Sequence, residues 1–195
     1  MTQTCSTSSC CFPLPGRTPA QARHAFLEPL HRSLSCVTAA RLLARTGRPG
    51  EVETLALSED PLRLRSATAG SLRFMLAHRF RLVEDVPSAW HVSTLAYDYR
   101  LSDGDGRELI SWHWHPAPLP GPEFPHLHVA SGPGGRHAHI PTGRVSIESV
   151  LRFLLNDLGV PARREHAHDW DQILNEAERA FAEHRRWHAR GPGEG

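Results

Sequence analysis

Three stretches in the middle of the chain alternate apolar and polar residues with a period of two, and this pattern restricts the fold more than any other feature. They are residues 72–83, 90–101 and 108–115. Such alternation is typical of strands with one buried and one exposed face, although the first stretch also has a spacing that suits a helix. Residues 103–106 read Asp-Gly-Asp-Gly, a strong turn signal, so the last two stretches predict a β-hairpin.

Two shorter strands are predicted after a proline-rich loop. Residues 126–129 read His-Leu-His-Val, and residues 137–140 read His-Ala-His-Ile. A glycine-rich turn at residues 132–135 separates them. The strands therefore continue the hairpin as an antiparallel meander.

Helices are predicted at both ends of the chain. Thr18 suits the N-cap of an N-terminal helix and Pro19 its first position. After the strands, Ser146 is the predicted cap of a helix that ends at Gly159, and Asp169 is the predicted cap of a second one. The predicted fold class is α+β, an antiparallel β-meander with two C-terminal helices packed on the sheet and an N-terminal helical segment.

The predicted organisation has one main domain. Residues 1–17 are expected to be a disordered tail, and residues 18–70 an N-terminal helical segment that Pro29 kinks or splits. Residues 71–189 are expected to form the α+β domain with the histidine-rich strands, and residues 190–195 a tail.

Composition excludes some function classes. The formal net charge is +1, so the chain has no basic field for coating nucleic acid in general. All 22 of its positively charged side chains are arginine, so the chain contains no lysine. A lysine nucleophile is therefore impossible, and any phosphate must be contacted by arginine.

The cysteines and the apolar runs predict a reduced, cytoplasmic protein. The four cysteines form no Cys-x-x-Cys pair, so neither a zinc ribbon nor a thioredoxin-like site is predicted. The N-terminus lacks the pattern of a secretory signal, and no apolar run approaches the ~20 residues that span a bilayer. No membrane interaction is predicted.

Histidine pairs are the chemically distinctive feature. The chain has 14 histidines, and several occur as His-x-His on predicted strands, where both side chains point to the same face. If the strands are neighbours, these imidazoles predict a site for zinc or another divalent transition metal. Three ligands and a water would form a catalytic site, and four would close it. The alternative is that the histidines only pack or face solvent. The predicted ligands are His113, His115, His126, His128, His137 and His139.

Metal-free acid–base catalysis is a second interpretation of the same strands. One histidine would act as general base and another as general acid, while an arginine neutralises a phosphate. The aromatic residues nearby would either stack on unpaired bases of an RNA or belong to the core. The predicted catalytic residues are His113, His115, His126, His128, Arg136 and Arg144, and the aromatic residues are Tyr97, Tyr99, Trp112 and Trp114.

The central region also resembles a known family. Residues 97–101 read Tyr-Asp-Tyr-Arg-Leu, residues 113–115 His-Trp-His, and residues 124–128 Phe-Pro-His-Leu-His, followed by a capped helix. Together they look like the TumE-type toxins of bacterial toxin–antitoxin pairs, over roughly residues 97–153. The resemblance implies a small toxin-like protein with a cognate antitoxin, and with the histidine pairs it suggests action on RNA.

A non-enzymatic interaction module is the remaining alternative. Trp170, Phe181 and Trp187 exceed what one helix needs for internal packing if they share a face. The C-terminal helices would then bind an antitoxin or another protein partner. The sequence leaves these three functions open.

Overall fold

The protein is an α+β fold with one antiparallel sheet of eight strands and three helices. The computed structural model describes residues 16–44, 50–115, 122–131 and 134–184. The helices are α1 (Pro19–Ser35), α2 (Ile147–Asn156) and α3 (Trp170–His184). The strands are β1 (Leu42–Ala44), β2 (Glu53–Leu57), β3 (Leu62–Ser66), β4 (Gly70–Val86), β5 (Ala89–Asp103), β6 (Glu108–Trp114), β7 (His126–Val129) and β8 (Ile140–Pro141).

The sheet is organised around the long hairpin of β4 and β5. Its strand order is β1-β2-β4-β5-β6-β7-β8, and β3 also pairs with β4. β4 is 17 residues long, so β2 and β3 lie one after the other along the same edge of it. From β4 onward each strand pairs with the next along the chain, which confirms the predicted meander.

The predicted hairpin is confirmed, and its turn explains the register. The Asp103 carboxylate accepts hydrogen bonds from the backbone N–H groups of Asp105 (3.0 Å) and Arg107 (2.9 Å). Gly106 has a φ of 86°, a conformation that glycine adopts without strain. This turn fixes β5 against β6, and Asp98 comes to lie directly opposite His113.

All three helices lie on one face of the sheet, which we call the inner face. Phe26 of α1 contacts Phe80 with ring centroids 5.1 Å apart, and Phe153 of α2 contacts Trp112 at 5.9 Å. Leu174 of α3 is fully buried in the same core. The inner face carries the apolar and aromatic side chains of every long strand. The opposite face, which we call the outer face, carries the polar half of the alternation.

The predicted helix caps at Thr18 and Ser146 are confirmed, whereas α2 ends at Asn156 with Asp157 as its C-cap, before the predicted end at Gly159. The Thr18 hydroxyl accepts from the N–H of Gln21 (3.2 Å), and the Ser146 hydroxyl accepts from the N–H of Ser149 (3.0 Å). Gly159 follows α2 with a φ of 62°. α3 begins directly after Asp169.

The predicted helical segment over residues 18–70 is helical only in about its first third. α1 ends at Ser35, and Pro29 lies inside it without splitting it. The rest of the segment supplies β1, β2 and β3 to the main sheet. These strands have only three to five residues each, so their alternation is too short to stand out in the sequence. The predicted boundary at residue 71 therefore falls inside the sheet.

A buried ion pair also ties α1 to the sheet. Arg23 of α1 contacts the carboxylate of Glu53 at 2.5 Å, and the Glu53 side chain is fully buried. An unpaired carboxylate in that position would be strongly destabilising. The N-terminal helix is thus part of the same folding unit as the strands.

The predicted strand over residues 137–140 is wrong in most of its length. Gly135–His137 is a turn of 3₁₀ helix, and only Ile140–Pro141 pairs with β7. Gly134 and Gly135 have φ values of 83° and 59°, which turn the chain away from an extended path.

The predicted tails lie mostly outside the described residues, which begin at residue 16 and end at residue 184. Gly16 is ordered, because its carbonyl accepts a hydrogen bond from the N–H of Trp90 (2.8 Å). Within the described part of the chain, no helix has both the length and the apolar character needed to cross a membrane.

Candidate metal centre

β6 and β7 bring two histidine pairs onto the outer face. In their antiparallel register His113 lies opposite His126, and Ser111 lies opposite His128. Residues opposite one another in such a pair point to the same face of the sheet. Trp112 and Trp114 alternate with the histidines and are buried in the core on the inner face. The predicted division of β6 into a tryptophan face and a histidine face is therefore confirmed.

Five of the predicted ligands form one group, which we call the histidine cluster. The ring centroids of His113 lie 5.7 Å from His126, 5.1 Å from His128 and 5.4 Å from His115. The His139 ring lies 4.8 Å from His126 and 4.7 Å from His128. The cluster consists of His113, His115, His126, His128 and His139.

Two triplets of side chains have a geometry that could hold a metal ion. Ligand atoms of His113, His126 and His128 all lie within 4.8 Å of one another, and so do those of Asp98, His113 and His115. Tetrahedral zinc with bonds of 2.0–2.1 Å needs nitrogens about 3.3 Å apart.

His126 is held in a suitable tautomer for binding a metal. Its Nδ1 lies 2.9 Å from the carbonyl oxygen of Phe124. Because a carbonyl oxygen only accepts, Nδ1 carries the proton and Nε2 keeps its lone pair. Metal-ligating histidines are commonly oriented by this kind of hydrogen bond.

His113 has a buried nitrogen without a hydrogen-bond partner. Its Nε2 makes no hydrogen bond, and the nearest carboxylate oxygen, on Asp98, is 3.7 Å away. The pKa of His113 is lowered to about 4, mainly by burial; Asp98 opposes the change, and the neighbouring His128, His115 and Arg100 contribute to it. His113 is therefore neutral at neutral pH, which is the form that binds a metal.

Asp98 is fixed beside His113 by an arginine. Both Asp98 carboxylate oxygens accept from the Arg100 guanidinium, at 2.8 and 2.6 Å. Arg100 lies two residues further along β5, so all three groups share the outer face. Arg100 thus holds the Asp98 carboxylate in a fixed position from which it can orient the His113 ring. The turn at residues 103–106 is the sequence feature that sets this register and so places Asp98 opposite His113.

Burial also affects the roles that the histidines could take in metal-free acid–base catalysis. Burial lowers the pKa of His126 as well as that of His113. These two histidines are thereby neutral near pH 7, which is the form of a general base or of a metal ligand, so a general acid would have to be another group. They remain good lone-pair donors.

Several predicted site residues lie elsewhere. Arg144 stacks on the ring of Trp114, with its guanidinium carbon 3.7 Å from the centroid, so it is on the inner face. His137 is exposed in the 3₁₀ turn, and no ring contact joins it to the cluster within the described residues. The backbone of Arg136 lies in the same turn, and its side chain is outside the described part of the chain.

The aromatic residues belong to the core and do not offer stacking faces. Tyr97, Tyr99, Trp112 and Trp114 are all less than a tenth exposed. The predicted alternative of base stacking is therefore wrong for these four residues, because strand alternation places them under the helices.

The aromatic residues of α3 do not form the predicted exposed patch. Trp170 packs against the core and Phe181 lines a pocket between the helices and the sheet. Trp187 lies outside the described residues. The two aromatic side chains that the structure describes are therefore used internally.

Comparisons with known proteins do not assign this arrangement to a family. No family model matches the chain, and it matches neither a curated protein nor a solved structure.

Proposed function

We propose that this protein binds one transition metal ion through His113, His126 and His128 on the outer face of the sheet. Zinc is the first candidate for this ion. The observation that carries the proposal is the buried Nε2 of His113, which has no hydrogen-bond partner, in a histidine whose ligand atom lies within 4.8 Å of those of two others. Buried polar atoms nearly always have a hydrogen-bond partner. A buried imidazole nitrogen that has none, beside the nitrogens of two other imidazoles, therefore indicates a site for a ligand such as a metal ion.

The donor set selects the kind of metal. Neutral imidazoles suit zinc, copper, nickel and iron, whereas calcium and magnesium prefer oxygen ligands. Cys36, the one cysteine within the described residues, is buried in the core on the inner face, so the site offers nitrogen and not sulfur. Histidine nitrogen is a usual ligand of zinc, so zinc is the metal that we propose first.

With three histidine ligands, the fourth position of a tetrahedral zinc site would be taken by water. His139 is exposed and lies in an irregular segment before β8, whereas the three proposed ligands lie on paired strands. A zinc ion with three histidine ligands and one water lowers the pKa of that water to about 7. Metal-assisted hydrolysis is thus the reaction class that this site would support.

Elemental analysis of untagged protein purified without chelator tests the proposal. We expect about one equivalent of metal in the wild type. The double variant His126→Ala/His128→Ala should hold none. A second His-x-His pair outside the cluster provides a matched control, since His166→Ala/His168→Ala removes the same number of imidazoles. That control should keep the metal. A wild type that stays metal-free after zinc loading would overturn the proposal.

Toxin-like action on RNA, an antitoxin bound at the C-terminal helices and a cytoplasmic location stay predictions from the sequence. Growth arrest on expression that is lost in His126→Ala/His128→Ala would support the toxin. Harmless expression at high level would count against it.

A further inference from the structure

The outer face carries a second polar feature, a group of five arginines on β3 and β4. Arg63 and Arg65 alternate with buried leucines along β3. Arg73, Arg79 and Arg81 alternate in the same way with the buried side chains of β4. Strand alternation therefore places all five side chains on the face opposite the helices. We call them the arginine patch.

The positive charge of the arginine patch is not compensated within the described part of the chain. Between residues 62 and 83, the other outer-face positions of β3 and β4 are serine, methionine, alanine and valine. None of the five guanidinium groups makes an ion pair or a hydrogen bond with the described residues. The nearby carboxylates of Glu84, Asp85 and Asp98 contact other groups. The patch is thus a surface of unpaired positive charge.

Two arginines of the patch face each other across the β3–β4 pair. Arg63 lies directly opposite Arg73 in the antiparallel register, which brings their Cβ atoms to about 4.5–5.5 Å. Arg65 is the diagonal neighbour of Arg73 in the same pair. Like charges in directly opposite positions destabilise a sheet. Positions that break such a rule are typical of functional sites, and here a bound anion would supply the missing negative charge.

The net charge of the chain conceals this surface. The formal net charge is +1, so the residues outside the patch carry an excess of carboxylates. Part of that excess lies on α3, where the carboxylates of Asp171, Glu176 and Glu178 accompany one described arginine, Arg179. A basic surface on one face of a nearly neutral protein is typical of proteins that bind a polyanion by electrostatic attraction.

The length of the patch indicates an extended ligand. Arg73 and Arg81 are eight residues apart on β4, which at about 3.3 Å per residue corresponds to about 26 Å. A single phosphate group contacts only one end of a surface of this length. A linear polyanion contacts all of it, so a nucleic acid backbone fits the patch better than a small phosphate ester does.

The patch offers charge but no ring on which a base could stack. The outer-face neighbours of its arginines on β4 are not aromatic, and Tyr97 and Tyr99 of β5 are buried in the core. Proteins that bind single-stranded nucleic acid combine a basic groove with aromatic stacking. Contacts with phosphates alone suit a double helix, because its bases are enclosed and it carries one negative charge per about 1.7 Å of axis.

We propose that the arginine patch binds the phosphate backbone of a nucleic acid duplex without reading its sequence. Each guanidinium group would donate hydrogen bonds to phosphate oxygens, a geometry for which the planar fork of donors in arginine is suited. Such binding releases counterions from the duplex and is therefore weakened steeply by salt. It requires no metal ion at the histidine cluster.

Fluorescence anisotropy of a labelled 20-base-pair duplex, titrated with the full chain in the presence of a chelator, tests this proposal. We expect a dissociation constant between about 1 and 100 μM at physiological salt. If all five contacts form, the logarithm of the binding constant should fall against the logarithm of the salt concentration with a slope of about −4.5. A DNA and an RNA duplex are titrated in parallel. Binding of either supports the proposal, and the tighter one identifies the kind of duplex.

Paired arginine variants locate the binding surface. Arg63→Gln/Arg73→Gln should weaken binding by about tenfold or more at low salt and make the salt slope shallower by about 2. Arg164→Gln/Arg179→Gln is the matched control, because it removes two exposed arginines that lie outside the sheet, and it should bind like the wild type. Thermal unfolding should show no loss of stability in Arg63→Gln/Arg73→Gln, since the change removes a like-charge pair.

The proposal is overturned if the wild type binds neither duplex at about 50 mM salt, where such contacts are strong. It is also overturned if Arg63→Gln/Arg73→Gln binds as tightly as the control. Tighter binding of a single strand, or binding to phosphatidylserine vesicles without binding to a duplex, would assign the patch to a different ligand and contradict the proposal. His126→Ala/His128→Ala should bind the duplex like the wild type, so failure of this site and failure of the metal centre are distinguishable.

Discussion

Each face of the sheet holds a histidine whose pKa is lowered by burial, and the two histidines differ in their partners. Burial lowers the pKa of His78 on the inner face and of His113 on the outer face to about 4. Both ring nitrogens of His78 are hydrogen bonded, to Tyr99 and Thr94, whereas Nε2 of His113 has no partner. The difference teaches that burial and a shifted pKa do not mark a functional histidine by themselves. An unsatisfied nitrogen beside other donors is the more specific signal.

The largest expected effect is stabilisation of the outer face by zinc. At a free zinc concentration about 1,000 times the dissociation constant, binding to the folded state adds about 4 kcal/mol to the free energy of unfolding. Thermal unfolding with and without zinc should show this gain in the wild type and none in His113→Ala. His137→Ala removes a histidine outside the cluster and should keep the whole gain. Equal stabilisation of all three proteins by zinc would show that His113 is not a ligand and would contradict the proposed metal site on the outer face.

On the inner face, Glu148 should make the free energy of unfolding depend on pH. Its carboxyl pKa rises from 4.5 to about 7 on folding, so the native state binds more protons between these values and its stability falls as pH rises through them. Glu148→Gln lacks this dependence. We expect it to be about 3 kcal/mol more stable than the wild type at about pH 8 and similar near pH 4.5. Denaturant unfolding at several pH values measures the difference, and a gap that does not change with pH would contradict the expectation.

Replacing a histidine with leucine compares the faces directly. His78→Leu leaves the Tyr99 and Thr94 hydroxyls without their partner and should cost about 2 kcal/mol in the free energy of unfolding. His139→Leu, at an exposed position of the cluster, should change the stability of metal-free protein by less than about 0.5 kcal/mol. Chemical denaturation in the presence of a chelator provides both values. A larger loss for His139→Leu would mean that the cluster stabilises the fold without metal.

The smallest effect concerns Asp98. If it orients His113, Asp98→Asn should weaken zinc binding by about tenfold, near the lower limit for such residues, because no direct hydrogen bond joins the two side chains. Competition with a chromophoric chelator measures the affinity. Asp105→Asn, in the exposed turn after β5, is the control and should bind zinc normally. If Asp98→Asn binds zinc as tightly as the wild type, Asp98 only pairs with Arg100 and does not orient His113.

The sequence predicted the meander and most of the histidine cluster because turn chemistry and alternation act locally. The Asp-Gly turn and the period of two in β5 and β6 are enough to place His113 and His115 on one face. His139 joins the cluster although its predicted strand is mostly a turn, since β8 still pairs with β7 beside it.

What the sequence could not predict depends on contacts between distant segments. The face on which Arg144 lies is decided by its stacking on Trp114, which no local pattern reveals. The short strands β1 to β3 have few alternating positions and become strands by pairing with their neighbours in the sheet. Glu148 did carry a signal, because it shares a helical stripe with Leu151 and Leu155, three and seven residues further on.

The end of the sheet beside the histidine cluster is a poor template for another polypeptide. β8 has two residues, and Pro141 has no N–H to donate to an incoming strand. Short edge strands that contain proline resist pairing between molecules. The imidazoles of β7 therefore lie one strand inside an edge of the sheet that is unsuited to pairing with further backbone, so strand addition by another molecule is disfavoured beside them.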